Sequence, residues 1–193
     1  MGLRAWLLGR RKKFDDTNEV SALLEHIYSK KITGRNTRKA EVLEYIPTEK
    51  RMKFKLKSPV INYTNEKIDE VTTTLHVFVL GELAYVFIYF LVRDRIIQFV
   101  TPEEFIHLAD NYKLKFSGIN LRLVDSHQLD EAYIVELQLK KEIARKEIIK
   151  KDTKKTTAIS ITDFVIENAG GEKIAEGLLY NSAILKEEKI EQA

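Results

Sequence analysis

The chain of 193 residues is long enough for one large domain or two small ones. An apolar fraction of 44% with a charged fraction of 32% describes a folded protein with a solvated surface and excludes a disordered or low-complexity chain. Basic residues number 32 against 29 acidic ones, too even a balance to name a polyanionic partner, and the absence of cysteine excludes disulfides, thiolate nucleophiles and Cys-based metal sites.

The first 14 residues, MGLRAWLLGRRKKF, are too short in their apolar run for a secretory signal and lack the hydroxyl residue of a myristoylation motif. Leu3, Trp6, Leu7 and Leu8 share a helical face followed by Arg10, Arg11, Lys12 and Lys13, a pattern suited either to an anionic surface or to a frayed, charged start. Val20, Leu23, Leu24 and Ile27 predict a short helix over 18–28, with Thr17 or Asn18 as its cap. Alternation then predicts strands: Ala40 and Val42 first and, after a turn at 47–50, Met52, Phe54 and Leu56 alternating with Lys53, Lys55 and Lys57.

The strongest signal runs from Val71 to Val100. The 18 residues Leu75–Val92 contain a single carboxylate, Glu82, which raises a membrane-spanning helix; Gly81-Glu82 near the centre and the wealth of β-branched and aromatic residues argue instead for a hairpin. Its strands are predicted over 71–80 and 83–92, with a third short strand over 96–100. Thr101-Pro102-Glu103-Glu104 predicts a helix start, with Thr as cap, Pro preset for the first turn and two acids at the positive end of the dipole. Alternation returns at Tyr112, Leu114 and Phe116, at Ile119, Leu121 and Leu123, and at Tyr133, Val135, Leu137 and Leu139. The basic doublets between Lys140 and Lys155 suggest a solvated helix or extended connector, followed by a strand over 158–167 and a turn at Gly170-Gly171. Residues 174–185 suit strand or helix, and 186–193 read as a mobile tail.

Catalytic signatures are missing from this pattern. The four histidines are scattered, with His76 reading as a core or edge histidine, and the eight glycines build no phosphate cradle. Basic patches lack interleaved aromatics, which disfavours nucleic acid as a partner. These readings point to a non-enzymatic module.

The order of helix, basic connection, two strands, polar loop, hairpin and Phe99-Val100-Thr101-Pro102 resembles, over residues 18–116, the N-terminal domain of flagellar-brake proteins of the YcgR type, which precedes a PilZ domain. The resemblance implies a mainly β fold with short helices, built as two small antiparallel β-barrels in tandem. The expected divisions are a basic segment over 1–17, a first barrel over 18–110, a degenerate PilZ-like barrel over 111–185 and the tail over 186–193. It implies a bacterial, cytoplasmic regulatory protein of motility, acting through a protein partner, with cyclic di-GMP as its candidate ligand. The family's junction arginines are missing and only Asp163 of its Asp-x-Ser-x-x-Gly element remains, so Lys113, Lys115 and Asp163 are the candidate ligand residues, with nucleotide binding weak or lost. The alternative expectation is a scaffold on a membrane surface or polyanion, contacting it through Trp6, Arg10, Arg11, Lys12 and Lys13.

Overall fold

The computed structural model describes residues 22–23, 40–56, 73–111, 113–124, 132–150 and 152–190. Within them Ala22 and Leu23 are helical, and Leu23 is buried in the core. Strand β1 (Ala40–Ile46) turns through a 3-10 segment, Pro47–Glu49, into β2 (Arg51–Leu56). As the alternation predicts, Met52, Phe54 and Leu56 are buried while the intervening basic residues are only half-buried. Lys50 takes the left-handed conformation that reverses the chain, and its N–H donates to the Pro47 carbonyl at 3.0 Å.

Helix α1 (Thr73–Arg93) occupies the stretch expected to be a hairpin. Every residue from Leu80 to Val92 is buried, so this part of the helix has no solvent face and shows no 3.6-residue alternation. A buried apolar run of this kind cannot be told from paired strands by periodicity, and β-branched content pointed the wrong way. Tertiary burial prevailed over strand propensity. The predicted turn at Arg93-Asp94-Arg95 is present as the helix terminus: Arg95 adopts φ 59°, its N–H donates to Val92, and Ile96 N–H donates to the Leu91 carbonyl at 2.8 Å. No strand forms over 96–100, where turns carry the chain to α2 (Pro102–Asp110).

The start of α2 follows the sequence reading. Thr101 Oγ1 accepts from the Glu104 N–H at 3.2 Å, and the Glu104 carboxylate accepts from the Thr101 N–H at 2.8 Å, a reciprocal capping box. Beyond it run β3 (Leu114–Leu123), β4 (Tyr133–Lys150), β5 (Thr153–Glu167) and β6 (Lys173–Lys189). The Lys140–Lys155 segment is therefore neither helix nor connector: it forms the far ends of β4 and β5 with the reversal between them. Residues 174–185 resolve as strand, and β6 continues to Lys189, into the segment expected to be a tail.

All six strands form one antiparallel sheet in the order β1-β2-β4-β5-β6-β3. Because β2 pairs directly with β4, from Arg51↔Gln138 to Leu56↔Tyr133, strands from both halves share one ladder, and two tandem barrels are ruled out. The mainly β, antiparallel character stands; the sheet is open and packs one face on α1. At the β3 edge, Gly177 lets the strands meet closely, since a Cβ there would lie 1.8 Å from the Asn120 carbonyl oxygen. No helix among the described residues is long and apolar enough to cross a membrane.

Candidate active site

Alternation along the strands sorts polar residues onto the buried face. In β5 that face carries Ser160 and Thr162, and in β6 it carries Asn181, between apolar neighbours such as Phe164, Leu179 and Ala183. Cross-strand register assembles a row over four strands: Phe116 opposite Asn181, Asn181 opposite Ser160, and Ser160 opposite Glu142. With neighbouring strands about 4.8 Å apart, Asn181 and Glu142 lie about 10 Å from each other.

Helix α1 crosses this row at Gly81. A Cβ on Gly81 would approach the Phe116 ring to 3.2 Å, so the missing side chain seats the helix against β3. Glu82 follows immediately and is 3% exposed, a carboxylate held inside the core at the crossing. Asn181 is likewise 3% exposed, and both its side-chain oxygen and nitrogen are buried without a hydrogen-bond partner. The Thr162 hydroxyl is in the same condition. An unmet amide costs about 1–3 kcal/mol, so its retention on the row that the helix meets at Gly81 marks a place where a ligand oxygen or water can be held. Glu142, at the far end of the row, has its carboxyl pushed up by burial, an effect opposed by the Lys50 charge and a hydrogen bond from the Gln98 backbone. Burial also pushes the Tyr85 and Tyr133 hydroxyls up, keeping both neutral.

A groove of about 580 Å³ opens where α2 and the turn before it meet the ends of β5 and β6. Phe99, Val100, Leu108 and Leu185 give it apolar walls, and Glu103, His107, Thr156 and Lys186 stand around them. Leu185 lies on the same strand as Asn181, four residues and about 13 Å away, at the register shift between the Thr157↔Ile184 and Thr156↔Lys186 pairs. The carboxylate of Glu104 also borders the groove but is committed to the helix cap.

The residues singled out from sequence lie elsewhere. Lys113 follows α2, where its N–H donates to Leu108 and its carbonyl accepts from Ile184. Lys115 on β3 stands opposite Ser182, and Asp163 on β5 pairs with Lys140 at 3.3 Å. Register separates Lys115 from Asp163 by two strands and four residues, about 16 Å, so the structure does not gather them. Trp6, Arg10, Arg11, Lys12 and Lys13 lie outside the described residues. In the sequence Glu82 reads as part of a hairpin turn and Asn181 lies in a segment that suits strand or helix, so neither stands out as a site residue. The available signal was a lone carboxylate at the centre of an otherwise uncharged apolar run. Among the described residues, no group of His, Asp and Glu is arranged to hold a metal ion.

Neither a protein-family model nor a curated protein matches the chain. Solved structures do. A Shewanella oneidensis protein described as related to the thioesterase superfamily is similar at 12% identity, covering 88% of this chain and 97% of its own, with a TM-score of 0.52. Thioesterase superfamily member 2 from Mus musculus is similar at 11% identity over 90% of this chain and 100% of its own, with a TM-score of 0.49. A Pseudomonas aeruginosa thioesterase is similar at 7% identity over 91% and 96%, also with a TM-score of 0.49. The single open sheet that joins both halves, with the fold likeness to the Shewanella protein, overturns the resemblance to flagellar-brake and PilZ proteins, and the expected non-enzymatic, cyclic di-GMP-linked motility regulator loses its basis with it. A helix seated on the inner face of one open antiparallel sheet, as in the Shewanella relative, is the hotdog fold.

Proposed function

We propose that the chain is an acyl-thioester hydrolase of the hotdog fold. The observation that carries this reading is Glu82, a buried carboxylate next in sequence to Gly81 where the helix meets Phe116, together with the unpartnered amide of Asn181 opposite Phe116 in the sheet. Thioester hydrolysis needs a base that takes a proton from water as its oxygen adds to the carbonyl carbon. It also needs a donor for the oxyanion that forms, before the carbon–sulfur bond breaks to give a carboxylic acid and a thiol. Glu82 is assigned the first role and the Asn181 side-chain N–H the second. The groove below α2, within the range of ligand pockets and walled by Phe99, Val100, Leu108 and Leu185, suits the apolar chain of such a substrate.

The test is continuous detection of free thiol when the purified chain is mixed with acyl-coenzyme A esters from acetyl to palmitoyl. Saturable thiol release with at least one chain length is expected. Absence of release across the whole series overturns the reading.

A further inference from the structure

Glu142 is a carboxylate on the inner face of the sheet that the proposed chemistry does not use. Along β4 that face carries Tyr133, Val135, Leu137 and Leu139, all buried, and then, past the register shift between Leu139 and Lys141, Glu142. Glu142 is half-buried and stands opposite Ser160, at the end of the row that runs through Phe116 and Asn181. Burial pushes its carboxyl up, so a charge here carries a cost that a further leucine on this face would not. Two contacts offset that cost: the Lys50 charge, and a hydrogen bond that the carboxylate accepts from the Gln98 backbone N–H.

That bond reaches the wall of the groove. Gln98 is followed at once by Phe99 and Val100, two of the apolar residues that line it. The segment is pinned at both ends. Ile97 is buried and its N–H donates to the Leu91 carbonyl at 3.1 Å, while the Thr101 N–H donates to the Glu104 carboxylate at 2.8 Å. Between these pins the Gln98 amide ties the wall to β4. The Gln98 side chain turns the other way, donating to the Arg95 carbonyl at 3.2 Å, so β4 holds the backbone and not the side chain. Gln98 is exposed, and water can take over its N–H if the carboxylate is removed. The bond therefore fixes the position of the wall at little cost to stability when it is lost.

We propose that Glu142 is a positioning residue for the acyl chain: by holding the Gln98 N–H it sets where Phe99 and Val100 stand, and so how much of a long chain the groove grips. The proposal rests on the reading of this groove as the chain site of a thioester hydrolase. Wild type, Glu142→Ala and Glu142→Gln are compared in two assays, after circular dichroism confirms that all three are folded. Binding of a fluorescent long-chain fatty acid reads the groove without chemistry, and KM for palmitoyl- against acetyl-coenzyme A reads it during hydrolysis. Each methylene held against an apolar wall is worth about fourfold in affinity, so a wall that withdraws from two of them loses about tenfold or more. Glu142→Ala is expected to weaken the fatty acid by that factor and to raise the palmitoyl KM about tenfold more than the acetyl KM. Glu142→Gln, whose side-chain oxygen still accepts from Gln98, is expected to recover most of both losses. Failure of the wild type to bind the fatty acid overturns the proposal, as does undiminished binding by Glu142→Ala, a Gln variant no better than the Ala one, or a KM that rises equally for both esters. Absence of thiol release from all three proteins, with the fatty acid weakened only in Glu142→Ala, overturns the hydrolase reading while supporting the role of Glu142.

Discussion

Replacing Gly177 by alanine tests the register of the β3 edge. The added Cβ would stand 1.8 Å from the Asn120 carbonyl oxygen, 2.9 Å from the Asn120 carbonyl carbon and 3.0 Å from the Phe164 ring. The first two atoms are backbone, so no rotamer change relieves the clash, and β3 has to lift from β6 near the Asn120↔Leu178 and Leu121↔Gly177 pairs. Overpacking of this severity costs about 1–3 kcal/mol, and each ladder hydrogen bond lost adds about 0.5–1.5 kcal/mol. We therefore expect a loss of about 2–4 kcal/mol. Urea unfolding followed by circular dichroism reads this directly: with a slope of about 2 kcal/mol per molar, the midpoint falls by about 1–2 M. Gly118→Ala is the control, because its Cβ meets nothing nearer than the Tyr180 ring at 4.0 Å. Equal midpoints for the two variants would refute the pairing of β3 with β6.

Thr101→Ala removes the acceptor that caps α2 and is expected to cost about 1 kcal/mol, measured in the same urea experiment, with a Ser replacement recovering most of it. Asn181→Leu replaces an unpartnered buried amide with a hydrocarbon of similar volume; stability should rise by about 1 kcal/mol while thiol release falls, and a simultaneous loss of stability would contradict the assigned geometry. Because burial raises the Glu142 carboxyl above its ordinary value, the folded state binds that proton more tightly than the unfolded state does. The contribution is favourable in acid and is lost as pH rises from the ordinary carboxylate range through the raised folded value. Glu142→Gln should therefore stabilise the protein at neutral pH, with the gain vanishing in acid, as thermal melts across pH will show.

The parts of the fold written in local chemistry were legible. Lysines alternating with Met52, Phe54 and Leu56 identify β2 because one face meets water, and Thr101-Pro102-Glu103-Glu104 carries its own capping box. Helix α1 was not legible for the opposite reason. A helical stretch buried on every side, as residues 80–92 are, loses the contrast between faces from which period is read, and the residues around Glu82 then mimic a hairpin turn. The β4 and β5 ends were obscured similarly, since charged residues on both faces of a projecting tongue leave no alternation. Asn181 acquires its meaning only from register: opposite Phe116 on one side and Ser160 on the other, it is linked to Gly81 through the Phe116 ring, a contact distant in sequence.

The measurement that bears most directly on the proposed chemistry compares wild type with Glu82→Gln in acyl-coenzyme A hydrolysis, with both proteins first shown to unfold at the same or a higher urea concentration. The amide keeps the shape of the carboxylate but cannot take a proton from water, so kcat should fall about 10²–10⁴-fold with little change in KM. A folded Glu82→Gln protein that hydrolyses thioesters at the wild-type rate would contradict the assignment of Glu82 as the base.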